Sequence, residues 1–371
     1  MTTENSTGKP GRLISLDAFR GFTIAAMVIV NDPGSWNHVY APLRHASWNG
    51  CTTTDLIFPF FLFIVGFSIA LAYSKRMQSG VPLGRIYRKI FVRTASIYLL
   101  GLFLWLWPDF DFHSIRWTGV LQRISLVFLA CSILFLNTSW KTQVWIGGLV
   151  LLLYWIVLAC LPVPGQGLPD LSGPGKNWAN YLDSMMLPGV MWQKTWDPEG
   201  ILSTFPAIVT GITGMLAGKI YLVTRDEDRR LIWMFFLGFV MYVGGNIWEW
   251  FLPVNKNLWT SSYVLYTSGL AALALASCML VVDKLGFARW TGLGVVYGSN
   301  AIVSYVLAGM LTVVFYGMRI GGISLNARFM DVLTSTGIAP RLASLLYAVI
   351  YMLIIYIPAL ILYRRRIFIR V

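Results

Sequence analysis

The chain has 371 residues, of which 57% are hydrophobic and only 12% are charged, so it has too few charged side chains to cover a soluble protein. Its net charge of +13 would suggest a nucleic-acid partner in a soluble protein, but in a membrane protein an excess of Lys and Arg mostly reflects topology. The composition therefore predicts an all-α, polytopic membrane helix bundle that binds no nucleic acid.

Windowed apolarity and turn signals predict about ten transmembrane helices, each long enough to cross a bilayer. A polar tail over residues 1–13 precedes a single transmembrane domain over 14–363, and a basic tail over 364–371 follows it. The predicted spans cover residues 14–32, 54–74, 90–107, 117–137, 143–161, 201–222, 231–252, 261–282, 290–316 and 341–363.

The distribution of basic residues predicts how the bundle is oriented. An even number of spans leaves both termini on one side, and most of the 29 Lys and Arg residues lie on that side. The positive-inside rule therefore predicts cytoplasmic termini. His45, in the first connection, then faces outward, which in a bacterial inner membrane is the periplasm.

The longest outward connection covers about residues 162–200 and is rich in Pro and Gly. Its last residues, Asp197-Pro198-Glu199-Gly200, have the order of a helix start, because an Asp can cap free amides and a Pro suits the first helical position. Its tryptophans are typical of an interfacial aromatic belt, and they also suit a platform on which a sugar ring stacks.

Polar side chains from several segments are predicted at the same outward depth. Ionisable groups in a membrane are costly and are functional candidates by default. The convergence therefore predicts one site on the outer side. Its members are Asn31, His45, Asn49, Asp55, Arg123, Asn246 and Glu249.

His45 is the residue of this set most suited to chemistry. It is either an interfacial imidazole bonded to a loop carbonyl, or a general base or nucleophile, since histidine exchanges a proton near neutral pH. Asp55 either forms a structural ion pair with Arg123 or orients His45. A metal site is not expected, because the other histidines are only His38 and His113 and no carboxylate lies at ligand spacing.

A separate group of charged residues is predicted at the cytoplasmic side, around Asp17 and Arg20 at the start of the first span. Three interpretations stay open: a helix-start acid with a topological anchor, a cationic mouth for a phosphorylated ligand, and a contact with anionic lipid. The other basic residues fill the second connection and are Arg85, Arg88, Lys89 and Arg93.

Seven motifs spread over nearly the whole chain carry a family resemblance. They are RLISLDAFRG, RHASWNGCTTTDLIFPFFLFIVG, GVLQRI, DPEGILSTFPAI, NKNLWTSSYVL, GSNAI and RRRIFIRV. Together they resemble the transmembrane heparan-α-glucosaminide N-acetyltransferase family, in its shorter bacterial type. The resemblance implies that acetyl passes from cytoplasmic acetyl-CoA to the amine of a glucosamine unit on the outer side.

The resemblance also implies roles for individual residues. His45 matches the active-site histidine and Asn31 the nearby catalytic asparagine. Asp55 and Arg123 are supporting groups on the evidence of the residues themselves. The predicted topology fits this chemistry independently, because the CoA nucleotide would bind at Arg20 and the basic second connection. The sugar would stack on one of three tryptophans while a carboxylate attracts its ammonium; these acceptor residues are Trp48, Trp178, Trp259 and Glu249.

Two other functions stay open at this stage. The first is a transmembrane O-acyltransferase of cell-envelope polysaccharide, which would use the same donor and a hydroxyl acceptor. The second is a sugar transporter or exporter. The residues also leave open whether acetyl rests on His45 and whether the protein is a homodimer.

Overall fold

The computed structural model describes residues 13–369, and these are almost entirely helical. The helices, in chain order, are α1 (Ile14–Asn31), α2 (Ile57–Gln78), α3 (Leu83–Leu106), α4 (Val120–Asn137), α5 (Trp140–Cys160), α6 (Trp178–Met186), α7 (Ile201–Val223), α8 (Glu227–Glu249), α9 (Ser261–Cys278), α10 (Gly292–Ser299), α11 (Ala301–Gly317), α12 (Leu325–Ser335) and α13 (Pro340–Arg364). A two-residue hairpin pairs β1 (Arg319–Ile320) with β2 (Ile323–Ser324).

Nine helices within residues 13–369 are long and apolar enough to cross a membrane. They are α1 to α5, α7 to α9 and α13, with α2 extended backward by a 3₁₀ turn and α9 extended by a π turn to Lys284. The predicted all-α membrane bundle is confirmed. Most of the predicted polar tail lies outside the described residues, as do the last two residues of the basic tail.

The ninth predicted span, residues 290–316, is broken rather than continuous. α10 and α11 meet at Asn300 with a bend of 75°, so the pair counts as a tenth span only when its two helices are taken together. The Asn300 amide is buried and bonds the backbone of the C-terminal segment, donating to the Ile367 carbonyl (3.1 Å) and accepting from the Ile369 N–H (2.9 Å). The side chain at the break therefore holds the backbone of the C-terminal segment against the bundle.

α10 crosses α1 at a close helix–helix contact made by glycines. A β-carbon on Gly21 would overlap the carbonyl of Gly294, and one on Gly298 would overlap the carbonyl of Asp17. Backbones approach this closely only where side chains are absent. The GSNAI motif thus marks both a crossing and the break that follows it.

Two of the hydrophobic cores of the bundle meet at α2. One is built from α2, α3, α4, α5, α7 and α9, and the other from α1, α10, α11 and α13. Phe61 of α2 packs against both, so α2 lines the boundary between them. A further core joins α1 and α2 to α8 and α9.

One face of α2 is only partly buried along this boundary. We call it the α2 stripe: Phe58, Phe61, Val65 and Ser68, which follow the three- and four-residue spacing of a single helical face. Leu104 of α3 and Tyr305 of α11 are likewise partly buried against the same core. Side chains along the boundary therefore keep part of their surface accessible.

The predicted start of the third span and the predicted cap of α7 were wrong, although α7 itself begins at the predicted residue 201. α3 begins at Leu83, so the basic residues predicted in the second connection lie on its first three turns, where a polar helix start escaped the apolar window. α7 begins at Ile201, and its N–H is accepted by the carboxylate of Asp183 in α6 (2.9 Å). Asp197 does not cap α7, because its carboxylate is bound elsewhere.

Candidate active site

The centre of the site is a histidine held by a buried carboxylate. His45 Nδ1 lies 2.6 Å from Asp55 Oδ1 at the 3₁₀ turn that leads into α2. Asp55 is 1% exposed, and its other oxygen accepts the N–H groups of Ala46 and Thr52, each at 3.0 Å. The Thr52 hydroxyl adds a third bond to that oxygen (3.0 Å). These bonds fix the carboxylate before any ligand arrives.

This geometry sets the chemistry that His45 can perform. A carboxylate beside Nδ1 accepts its proton, which leaves the lone pair of the neutral ring on Nε2. The His45 side chain is 44% exposed, so Nε2 is accessible to a ligand. Of the two interpretations of Asp55, the structure therefore favours orientation of His45.

Lys256 completes the group from the connection between α8 and α9. Its Nζ lies 3.0 Å from His45 Nδ1 and 3.3 Å from His45 Nε2, and 3.7 Å from Asp55 Oδ1. Burial lowers the pKa of Lys256, while Asp55 and Glu199 oppose that shift. A positive charge thus lies beside both ring nitrogens of the imidazole.

The connection that carries Lys256 is fastened to the loop that carries His45. Asn255 Nδ2 donates to Asn49 Oδ1 (2.9 Å), and the Gly50 N–H donates to the Val254 carbonyl (2.7 Å). The Tyr263 hydroxyl donates to the Asp55 carbonyl (2.5 Å). The two loops therefore form one rigid support for the histidine.

Cys51 lies within the same loop but is not an activated nucleophile. Burial, with the Asp55 charge beside it, raises the pKa of its thiol to about 12. A thiol at that pKa carries almost no thiolate near neutral pH. His45 is therefore the nucleophile or base that the loop offers.

A second charged cluster, which we call the Arg116 clamp, lies between the α3–α4 connection and the start of α7. Arg116 donates through Nε and Nη2 to Asp197 (2.7 and 2.6 Å), and Nη2 also reaches Glu199 Oε2 (2.6 Å). Its guanidinium lies over the rings of Trp105 and Trp192, at 5.6 and 5.2 Å from their centroids. Buried fork-like pairs of this kind are geometrically specific.

Arg123 does not pair with Asp55, so the ion pair considered from the sequence is wrong. Its Nη2 binds the Gly200 carbonyl (3.2 Å) and the Ser203 hydroxyl (2.5 Å) at the start of α7. Its guanidinium also lies 5.1 Å from the ring centroid of Trp259. Asp55 has His45 and Lys256 as its charged neighbours instead.

Asn31 is the exposed last residue of α1. The residue after it, Asp32, is buried and accepts from the Thr312 hydroxyl (2.6 Å). The side-chain bonds recorded for His45 run to Asp55 and Lys256. The structure thus brings Lys256, rather than Asn31, against the imidazole.

The four predicted acceptor residues lie on four separate segments of the chain. Trp259 is 1% exposed beneath the site and donates to Thr210 (3.1 Å), so it offers no open face. Trp48 is buried edge-on against Trp196. Trp178 donates to the Leu161 carbonyl (3.0 Å) and packs on Tyr181, whereas Glu249 is an exposed end residue of α8.

The predicted cytoplasmic residues fall into two groups. Arg20 reaches into the bundle, where it binds Asp17 (3.2 Å) and the Ser68 hydroxyl of the α2 stripe (2.9 Å). The second group lies along one end of α3, exposed, and consists of Arg85, Arg88, Lys89 and Arg93. Arg93 lies over the ring of Phe128 of α4 (4.8 Å).

Sequence reasoning missed Lys256, Arg116 and Glu199 as site residues. Lys256 and Arg116 counted only among the basic residues of the predicted outward connections, and Lys256 also lies in the NKNLWTSSYVL motif. Glu199 was assigned to a helix start. Their shared signal was weak: each is a charged residue at an outward helix end, next to a motif.

Comparisons with known proteins agree on one family. The model of the family described as "Heparan-alpha-glucosaminide N-acetyltransferase, catalytic" matches residues 12–240. The chain is 33% identical over 357 aligned residues to human heparan-alpha-glucosaminide N-acetyltransferase and 30% identical over 365 to the mouse protein. The alignments cover 80% and 82% of this chain but 52% and 54% of those proteins, so the chain spans about half the length of these relatives.

Proposed function

Because the chain belongs to the heparan-alpha-glucosaminide N-acetyltransferase family, we propose that it moves acetyl from cytoplasmic acetyl-CoA to the amine of a glucosamine-type sugar on the outer side of the membrane. The observation that carries the proposal is the exposed His45 imidazole, whose Nδ1 is held at 2.6 Å by the buried carboxylate of Asp55. In a bacterium the membrane would be the inner membrane, with His45 toward the periplasm.

The proposed reaction uses His45 as a general base. Nε2 takes a proton from the sugar ammonium, and the free amine attacks the thioester carbonyl. The C–N bond forms, the C–S bond breaks, the imidazolium returns its proton to the leaving thiolate, and the new amide nitrogen releases its second proton to water. Asp55 keeps Nε2 as the proton acceptor and stabilises the imidazolium that forms.

Lys256 suits the stabilisation of the carbonyl oxygen. Negative charge develops on that oxygen as the amine attacks, and preorganised positive charge lowers the barrier most when water is excluded. The Lys256 ammonium lies within 3.3 Å of both ring nitrogens. We therefore assign to Lys256, rather than to Asn31, the stabilisation of this oxygen.

The α2 stripe suits the route of the acyl donor. From Ser68 to Asp55 is 13 helical steps, about 20 Å at 1.5 Å per residue. Its apolar middle residues suit an extended pantetheine arm, and Arg20 stands at its far end, bound to Ser68. The exposed basic residues of α3 offer contacts to the phosphates of CoA.

The first test is acetyl transfer by purified protein with [14C]acetyl-CoA and glucosamine. We expect labelled N-acetylglucosamine from the wild type, and a fall of about 10²- to 10⁴-fold in His45→Ala, the usual contribution of a general base. His113→Ala is the matched control, because His113 is an exposed histidine in a loop between α3 and α4. The control is expected to match the wild type.

Product mass then separates amine from hydroxyl acceptors. A wild-type protein that acetylates neutral polysaccharide fragments but no amino sugar would overturn the amine assignment. Sugar flux into liposomes without any acyl donor, together with no acetyl transfer to either acceptor, would overturn the proposal that the protein is an enzyme.

A further inference from the structure

We infer that Glu199 binds the ammonium group of the acceptor and thereby selects a cationic amine over a neutral hydroxyl. The inference rests on the proposed function and names the acceptor side of the same site. It is argued from three observations: the bonding of Glu199, the charge balance around it, and its position relative to Lys256.

Glu199 has one carboxylate oxygen engaged and one available. Oε2 accepts from Arg116 Nη2 at 2.6 Å, while Oε1 has no hydrogen-bond partner among residues 13–369. The side chain is 11% exposed, so water solvates Oε1 only partly. A half-desolvated carboxylate oxygen gains from a cationic donor more than an exposed one does.

The charges of the Arg116 clamp do not balance. The Arg116 guanidinium binds the carboxylates of both Asp197 and Glu199, and two of its hydrogen bonds go to Asp197. Burial alone would lower the pKa of Arg116, but Asp197 and Glu199 outweigh it and raise that pKa above its ordinary value. The clamp therefore carries one excess negative charge, and Glu199 is its less satisfied member.

Nearby charges do not remove this excess. Arg123 and Asp183 add one charge of each sign beside the clamp. Lys256 is close enough for Glu199 to influence its pKa, yet among the described residues its ion-pair contacts are with Asp55 rather than Glu199. An organic cation at Oε1 would neutralise the cluster.

The position of Glu199 relates it to the reacting histidine. Two carboxylates raise the pKa of Lys256 against the effect of burial: Asp55, which binds His45, and Glu199, which belongs to the Arg116 clamp. Gly200, the residue after Glu199, bonds Arg123, whose guanidinium lies over Trp259, three residues after Lys256. An ammonium held at Glu199 would therefore lie toward the connection that carries Lys256. Glu249, the carboxylate favoured from the sequence, is instead exposed at the end of α8.

The test compares Glu199→Gln with Asp331→Asn, which removes one negative charge from an exposed position on α12. We expect Glu199→Gln to raise the KM for glucosamine at least 10-fold while the KM for acetyl-CoA stays within twofold. Asp331→Asn is expected to change neither constant. Glu199→Asp keeps the charge and should restore part of the affinity.

A merely structural role would give a different pattern. Glu199→Gln would then lower the melting temperature and kcat, with no selective change in the KM for glucosamine. That pattern, or an unchanged KM in a folded variant, would overturn the inference and leave the proposed function standing. A wild-type protein that transfers no acetyl to any amine would overturn both.

Discussion

Lys256 makes the clearest prediction at the scale of a single residue, because its charge depends on pH. Burial lowers its pKa below the ordinary 10.5. As the pH rises through that lowered pKa, the ammonium beside His45 is lost, so we expect kcat to fall on the alkaline side. Lys256→Arg keeps the charge at all accessible pH values and should remove this decline.

The measurement is kcat against pH for the wild type, for Lys256→Arg, and for Lys194→Arg. Lys194 lies exposed in the long connection before α7, so its exchange should leave the profile unchanged. The same alkaline decline in Lys256→Arg would mean that another group loses its proton, and Lys256 would have no electrostatic role.

How far the site could be predicted depends on sequence separation. His45 and Asp55 lie ten residues apart around one turn, so a motif could suggest that the two side chains meet. Lys256 lies 211 positions from His45, and nothing local indicates that α9 brings its connection back to that loop. Charged residues at helix ends are common, so only the fold distinguishes this lysine from the others.

At the scale of the elements, Arg123 ties three of them together. It connects α4 to the first turn of α7 through Gly200 and Ser203, and it packs on Trp259 before α9. Arg123→Ala is expected to lower the melting temperature by removing charge-assisted bonds worth about 1.5–3 kcal/mol each. The His45–Asp55 pair should persist, so that the folded fraction keeps most of its kcat.

Thermal unfolding of Arg123→Ala, Ser203→Ala and the double variant measures this coupling. The double variant should lose less than the sum of the two single losses, because the variants share one bond. Strictly additive losses, or a collapse of kcat in folded Arg123→Ala, would contradict this account.

The elements themselves were largely predictable. Nine spans were found because each is a long apolar run bounded by turn residues, as α7 is between Gly200 and Thr224. The start of α3 was missed because its first turns are basic. The break at Asn300 was missed because its partners are Ile367 and Ile369, and hydropathy carries no information about them.

At the scale of the whole molecule, the boundary between the two cores should act as the donor route. Val65 lies in the middle of the α2 stripe, so Val65→Trp would place an indole in that route. We expect about a 10-fold rise in the KM for acetyl-CoA and little change in the KM for glucosamine. Val144→Trp is the control, because Val144 is exposed on the periphery of α5.

Steady-state kinetics with each substrate varied in turn checks this expectation. An unchanged KM for acetyl-CoA in a folded Val65→Trp variant would show that the donor takes another path. An equal rise in Val144→Trp would point to a general effect of added bulk.

The orientation of the bundle can be tested with a cysteine that the chain already has. Cys160 is exposed at the end of α5 on the His45 side, whereas Cys131 is buried. With cytoplasmic termini, a membrane-impermeant maleimide should label intact cells at Cys160, and Cys160→Ser should lose that label. Labelling that appears only after lysis would contradict the predicted topology and place Cys160 in the cytoplasm.

The Asn300 amide also has a consequence for how the protein is made. Its partners, Ile367 and Ile369, follow it by 67 and 69 positions, beyond the whole of α13. While the ribosome is still synthesising α12 and α13, the Asn300 side chain lacks the backbone groups that it later bonds. We therefore expect these two bonds to form late in biogenesis, once α13 is complete and the C-terminal segment has folded back.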